Sequence, residues 1–587
     1  MCGIFALLNQ RNISYNEIEN EFMKGQNRGP EFSKLEFNYM KMVLGFHRLA
    51  INGLNSESNQ PIVINDIVLI CNGEIYNYKK LYEQMNVVPV TGSDCEVIIH
   101  LYLKYGIEQT LVMLDGVFAF ILYDNRITDD LNNKVYIARD PLGVRPLYYL
   151  KNSSDNYNLY NLFGFASELK CLEKFYNTNT YHYSIEQFTP GTYTAFNLSN
   201  KVHSSWKPIK ENIPYYIPTF SYTTGIPGWI VNSSSNETIY GVFANTLAYC
   251  LRSAVNKRCL TTERPIACLL SGGLDSSLIS ALVSDYYRIN NVDKPLETYS
   301  IGLPDSEDLK YARIVADWIG SKHTEIIVTE KEMVDSIPEV IQAIESYDTT
   351  TVRASIGNYL LGKYIAANSE AKVIFNGDGS DELLGGYLYM GKCPDDIEFD
   401  KETRRLLKDI HLFDVLRSDK SISSNGLEPR TPFLDRNFVN FVLSIPPFYR
   451  NHKNFDVAEK NILRQGFKYD NTCDCAEFLS FKDSRGKQLL PDEILYRKKE
   501  AFSDGVSSHG RSLYVILQEF ISFHLNIEET TDKYTPCIET EKYYYKKLFD
   551  SFYPNCSNIL PYFWMPKYTD AKDPSARTLT FYKKDDA

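Results

Sequence analysis

Apolar residues in the first two hundred positions come in short runs and not at helical spacing. "MVLGFHRLAI", "IVLICNGEIYN", "GVFAFILYD", "KVYIARDPLG" and "LFGFASEL" are bounded by Gly, Asn or Asp-Pro. Runs of that length with such ends predict strands. "IFALL" near the start reads as another, buried one. Hydrophilic "NRITDDLNNK" and "KNSSDNYNLYN" read as elongated hairpin loops. One stretch differs: "DCEVIIHLYLKYG" sets Val97, Ile98, Leu101 and Tyr105 on a single helical face.

The pattern changes over 206–239, where "KPIKENIPYYIPTF" and "VNSSSNET" are broken by proline and rich in serine, and a linker is expected. From 240 strands alternate with helices: "PIACLLS", "LETYSIGL" and "HTEIIVT" are separated by "SSLISALVSDYY" and "KYARIVADWIG". Alternation predicts a parallel sheet covered on both faces. Beyond residue 390 the chain reads as mainly helical, with a polar tail and no repeats.

Composition then narrows the class. A chain of 587 residues exceeds what one hydrophobic core fills, so at least two domains are expected. A net charge of -12 argues against general nucleic-acid binding, while leaving room for a nucleotide held by backbone amides and a cation. Among 12 cysteines only Cys473 and Cys475 are close neighbours, and no second pair completes a zinc site. Reduced thiols in a cytoplasmic protein are expected. No apolar stretch has the length of a membrane span, and "MCGIF" followed by "NQRN" is not a signal peptide.

Two stretches carry candidate chemistry in the second half. In "CLLSGGLDSS" a buried strand enters Ser271-Gly272-Gly273 and a helix opens near Asp275-Ser276. Two glycines allow a tight turn and close approach of backbone amides to phosphate oxygens. The Gly-Lys-Ser/Thr ending of a Walker loop is absent. In "VIFNGDGSDELLGGY" a second strand runs into glycines beside Asp378, Asp381 and Glu382. Both loops follow strands of the expected parallel sheet, whose carboxyl ends gather ligands, and carboxylates there suit Mg²⁺ carried by pyrophosphate.

The first loop resembles the SGGxDS loop of the ATP-pyrophosphatase superfamily, which cleaves ATP between the α and β phosphates. That resemblance gives Asp275 a part in holding pyrophosphate through magnesium. The N-terminal half resembles the class II glutamine amidotransferases. The whole chain, through "WMPKYTDAKDPSARTLT", is similar to the eukaryotic type of the glutamine-dependent asparagine synthetase family.

The resemblance implies a fold: an α+β N-terminal nucleophile (Ntn) domain of four αββα layers over 2–205, then an α/β parallel-sheet ATP-pyrophosphatase domain with a helical C-terminal part over 240–587. Cys2 becomes the nucleophile on glutamine once Met1 is removed. Its thiol, ordinarily near pKa 8.5, has an α-amine of about 7.7–8.0 beside it as a base. "NGEIYN" supplies Asn72 and the Gly73 amide as oxyanion donors, worth roughly 3–4 kcal/mol each. "FHRLAIN" supplies Arg48 for the substrate α-carboxylate, with Leu49, Ala50, Ile51 and Asn52 lining the pocket. Asp94 of "GSDCEV" faces the α-ammonium, with Glu74 nearby, so that one cation and one anion fix an amino acid.

In the second half the resemblance places Leu270, Ser271, Gly272, Gly273, Asp275, Ser276, Ile301, Asn376 and Gly377 around ATP. Thr350, Thr351 and Arg353 of "YDTTTVRASIGNYLL" go to aspartate, Asp275 and Asp381 to magnesium with pyrophosphate, and Lys499 of "RKKEAFSDGV" to the leaving phosphate charge. ATP and Mg²⁺ are the implied cofactors, with glutamine and aspartate as small-molecule partners; the resemblance allows a homodimer. Where the family usually reads SGEGSDE this chain has "NGDGSDE", so the carboxylate assisting the acyl-adenylate is Asp378, one methylene shorter, and Asn376 replaces a serine. Pro429 and Thr431 stand where small and apolar residues are usual. Another amide ligase on this scaffold, or a non-catalytic nucleotide or glutamine binder, are the alternatives; Cys2 and "TTVRAS" weigh against the first, the full set of motifs against the second.

Overall fold

The computed structural model describes residues 1–10, 13–39, 41–126, 133–152, 161–176, 183–198, 205–216, 236–468, 482–507, 511–524 and 538–580. Most of both hydrophilic inserts, residues 217–235 of the expected linker, and Cys473 and Cys475 lie outside them.

Two antiparallel six-stranded sheets build the first half. One runs, in spatial order, Tyr183–Gln187, Tyr148–Asn152, Phe163–Ala166, Gly3–Leu8, Met42–Arg48 and Phe32–Tyr39. The other runs Trp206–Pro214, Thr192–Leu198, Lys134–Arg139, Gly116–Asp124, Ile67–Ile75 and Ile62–Ile64. Side chains alternate along a strand. Ile4, Ala6 and Leu8 therefore meet Val68, Ile70, Ala119 and Ile121 between the sheets, while Phe5 and Leu7 pack outward against Ile18 and Phe22 of the helix Tyr15–Met23. On the far side Leu69, Cys71, Phe118 and Phe120 pack against helices Tyr78–Met85 and Val97–Met113. Burial on both faces is why these strands read as continuous apolar runs.

Two sequence expectations are corrected here. Tyr105 is 43% exposed; Tyr102 is the buried aromatic, its hydroxyl donating to Asp124 at 2.6 Å. The helix is broken at Gly106 (φ 76°), which ends the regular spacing that the periodic reading assumed. The linker begins later than its composition suggests. Trp206–Pro214 is an edge strand paired with Thr192–Leu198, its register shifting between Pro208 and Ile213; an edge position tolerates its two prolines, and a helix already starts at Asn236.

In the second half five parallel strands lie in the order Lys322–Ile327, Glu297–Gly302, Ile266–Leu269, Val373–Phe375 and Glu428–Arg430. Strand order reverses direction beside Ile266–Leu269, so the loops after Leu269 and after Phe375 flank the switch point where such sheets bind ligands. Glu428–Arg430 pairs on one side only, and an edge strand tolerates the missing amide of Pro429.

Buried ion pairs join the halves. Arg28 stands 2.8 Å from both Glu168 and Asp419, and Arg145 stands 3.3 Å from Asp419. Lys420 pairs with Glu345 and, at 3.2 Å, with Glu168. Arg430 stands 3.3 Å from Glu74. Mutual charge compensation is what permits so many ions out of water.

Candidate active sites

Cys2 opens the strand Gly3–Leu8. Its thiol points at the Leu49 carbonyl, 3.7 Å away, and its own carbonyl accepts from Arg28 Nε at 3.0 Å. With Met1 in place, burial pushes the thiol up to about 11 and the Met1 amine down to about 6. The thiol is therefore protonated at neutral pH in this form. The Met1 amine lies 3.8 Å from Glu428.

Arg48 is 6% exposed. Its guanidinium donates to Asn55 O at 2.8 Å, Asn59 Oδ1 at 2.6 Å, and the carbonyls of Asn52 and Gly53. It forms no ion pair among the described residues, so a full positive charge is held only by oxygen dipoles. A carboxylate ligand suits that environment. The anionic side is Asp94, which accepts from Ile75 N at 2.7 Å and which burial raises to about 6. Asn52 Nδ2 donates to Glu74 Oε2 at 2.8 Å and reaches Asp94 at 3.5 Å. Burial, then the charge of Asp94, holds Glu74 well above the usual carboxylate range, and Arg430 pulls against them.

Asn72 Nδ2 donates to Ser167 Oγ at 3.4 Å, and its Oδ1 is buried without a partner. A Cβ on Gly73 would meet the Val117 carbonyl at 2.5 Å, so only glycine fits there. Leu49 and Ile51 are buried, and the segment they belong to is gripped by the other half. Arg264 Nε donates to Ala50 O at 3.0 Å, Glu263 N to Ile51 O at 3.0 Å, and Asn52 Nδ2 to Thr261 O at 3.2 Å.

The second site is a cavity of about 180 Å³ at the switch point. Leu270, Ser271, Gly273, Asp275, Ser276, Ile301, Thr350, Asn376, Gly377, Asp378, Asp381 and Lys499 all line it. The first loop is braced against the helix it enters: the Ser271 hydroxyl lies 3.0 Å from that of Ser276, in the first turn of the helix Leu274–Ile289. Gly272 turns away from the cavity at φ 73°, where a Cβ would meet Ala312 N at 2.5 Å. Gly377 lets the second loop touch the first, since a Cβ there would meet Ser276 N at 2.8 Å.

Charge inside the cavity is organised by lysines. Lys460 lies 2.5 Å from Asp275 and 2.5 Å from Asp381. Lys499 lies 2.6 Å from the other oxygen of Asp381. Despite burial, these two cations hold Asp381 well below the usual carboxylate range. Arg417 stands 3.2 Å from Asp378 and 2.9 Å from Asp414. Asn376 Nδ2 donates to Ser418 Oγ at 2.6 Å, one residue along the same helix. Asp275 and Asp381 present two carboxylates to the cavity, with no cluster of three metal-ligating side chains among the described residues. Such a pair fits magnesium that arrives on a nucleotide and keeps phosphate oxygens as its other ligands.

Two expected substrate residues are elsewhere. Thr351 is held by the cap of the helix Thr349–Asn368, its N–H and hydroxyl donating to the capping carboxylate of Asp348 at 2.9 and 2.8 Å. Arg353 is buried against Glu541 and Asp573, with four hydrogen bonds of 2.6–2.9 Å. Its guanidinium is held by these two carboxylates and does not line this cavity, although with Thr350 it lines a smaller one of about 60 Å³ beside it. Thr350 does face the cavity, with its Oγ1 buried and without a partner. Lys460 and Arg417 were missed by sequence reasoning; neither sits in a stretch whose spacing announces a site.

Comparison with known proteins identifies both halves of the chain. The model of the glutamine amidotransferase domain matches residues 1–217, and that of asparagine synthase matches 246–397 and 392–469. Asparagine synthetase [glutamine-hydrolyzing] of Gallus gallus is 41% identical over 595 residues, 99% of each chain. Those of Rattus norvegicus and Homo sapiens are 40% identical over 598 and 599 residues, again 99% of each chain. With both halves matched end to end, the chain belongs to the glutamine-hydrolysing asparagine synthetase family.

Proposed function

We propose that this protein converts ATP, L-aspartate, L-glutamine and water into AMP, diphosphate, L-asparagine and L-glutamate. A carboxylate is a poor electrophile, so the aspartate β-carboxylate first attacks the α-phosphorus of ATP, giving β-aspartyl-AMP and releasing pyrophosphate. The amides at the start of the helix Leu274–Ile289 cradle phosphate oxygens. Lys460 and Lys499 neutralise the charge that builds on the leaving group, and magnesium enters as part of the nucleotide. Asp378, held by Arg417, assists formation or amination of the adenylate.

At the other site the α-amine of Cys2, free after loss of Met1, takes the thiol proton as sulfur attacks the glutamine amide. Asn72 and the Gly73 amide stabilise the resulting oxyanion, ammonia leaves, and water hydrolyses the thioester. Arg48 binds the substrate carboxylate and Asp94 its ammonium. Ammonia then attacks β-aspartyl-AMP, expelling AMP. Free ammonia is mostly protonated at neutral pH, so we assign its transfer to the buried junction between the halves; escape of all ammonia into solvent during coupled turnover would overturn that.

The domain reading follows, with the bounds moved to those of the fold: an Ntn-type αββα amidotransferase from Cys2 through the edge strand Trp206–Pro214, and an adenylate-forming synthetase from Asn236 onward. The reading leaves nucleic acid and membrane out, and keeps a cytoplasmic setting and a homodimer as expectations. What carries it is one observation: Cys2 at the head of the first strand with a buried Arg48 that forms no ion pair among the described residues, and a lysine-braced two-loop cavity, in a single chain. The test is a product assay with glutamine, aspartate and MgATP. One asparagine and one AMP per glutamine consumed is expected; AMP formed without asparagine would overturn it.

A further inference from the structure

Ser167 touches both working parts of the glutamine site. Its hydroxyl accepts from the backbone N–H of Ile4, two residues after the nucleophile, at 3.1 Å, and from Asn72 Nδ2 at 3.4 Å. Ser167 is 1% exposed, and the carboxamide oxygen of Asn72 is buried with no partner of its own. Ser167 is thus the polar side chain that ties the oxyanion donor to the cysteine strand. The turn bearing it is held from the other half. Glu345 accepts from Leu169 N at 2.8 Å and Lys170 N at 3.0 Å, and pairs with Lys420, whose ammonium points at the Ser167 carbonyl at 3.5 Å. Five residues after Glu345, Thr350 lines the nucleotide cavity.

We propose that Ser167 is a positioning residue for glutamine hydrolysis, aiming the Asn72 amide at the developing oxyanion, and that Glu345 of the synthetase half fixes the turn from which it acts. The inference rests on the function proposed above. Asn72 Nδ2 carries two hydrogens: one donates to Ser167 and fixes the plane of the amide, which leaves the other for the oxyanion when the tetrahedral intermediate forms. A donor that must stay aimed is sensitive to small displacements. Loss of the hydroxyl should act on the chemical step and not on binding, because Arg48 and Asp94 are left untouched.

The experiment is steady-state glutamine hydrolysis by Ser167→Ala and Glu345→Ala in the full chain, with ammonia-supported asparagine synthesis and iodoacetamide alkylation of Cys2 measured on the same samples. For Ser167→Ala we expect kcat to fall roughly 10- to 100-fold, with KM changed less than about twofold, and with alkylation and ammonia-supported synthesis at wild-type rates. Glu345→Ala should reproduce the kcat loss. Unchanged kcat in Ser167→Ala overturns the positioning role, as does a parallel loss of ammonia-supported synthesis, which marks general destabilisation. Unchanged kcat in Glu345→Ala overturns the reach across the halves. A wild-type chain that releases no ammonia from glutamine overturns the underlying function, and this role with it.

Discussion

The ammonium of Lys460 stands 2.5 Å from a carboxylate oxygen of Asp275, a residue 185 positions earlier in the chain. Lys460 is 1% exposed and reaches Asp381 at the same distance. One buried cation therefore binds the two glycine loops together.

Removing that link should stop adenylation. Lys460→Ala leaves two carboxylates facing each other with only Lys499 to compensate. Asparagine synthesis from either nitrogen source is expected to fall by at least about 100-fold, a loss of transition-state charge stabilisation of about 3 kcal/mol. Asp275→Ala should do the same. Basal glutamine hydrolysis, measured as glutamate release without ATP, should persist in both. Retained synthesis would exclude the lysine from the reaction.

Cys2→Ala should have the opposite pattern. Glutamine-supported synthesis is expected to vanish while ammonia-supported synthesis remains, because the two-loop cavity contains no atom of Cys2. An asparagine assay with each nitrogen donor checks it. Protein that keeps Met1 should also alkylate slowly, since burial holds the thiol near 11 in that form.

The pH response of glutamine binding follows from Asp94. Burial raises this carboxyl to about 6, so it is neutral below that pH and anionic above it. The anionic form is the one that attracts a substrate ammonium. KM for glutamine should therefore rise as pH falls through about 6, while ammonia-supported synthesis lacks this limb. Stability runs the other way. A raised carboxyl contributes stability that is present below its ordinary pKa and lost as pH rises through the folded value. Asp94→Asn should flatten the fall in Tm between pH 4 and 7 while weakening glutamine binding.

Arg353 tests the difference between a substrate contact and a structural ion. Arg353→Ala leaves Glu541 and Asp573 buried without their cation, at a cost of about 3–5 kcal/mol. Thermal unfolding should register it directly. Synthesis should fall in proportion to folded protein, with KM for aspartate unchanged; a selective rise in that KM would return Arg353 to the substrate.

Local chemistry is written in the residues themselves, and there the sequence sufficed. Glycines at 272, 273 and 377, the apolar alternation of the strands, and the cysteine at position 2 each act through their own backbone or their immediate neighbours. They determined the strands of all three sheets and both glycine loops, and marked Cys2 as the candidate nucleophile. What only the folded chain decided is how charges separated by hundreds of residues are paired. Asp275 meets Lys460, Glu74 meets Arg430, and Glu345 anchors the Ser167 turn. In "TTTVR" three neighbouring candidates were split among cavity, helix cap and buried ion pair, because successive residues on a helix face different directions. Desolvation makes each of those pairings consequential, and no spacing in the chain encodes which partner a buried charge will find.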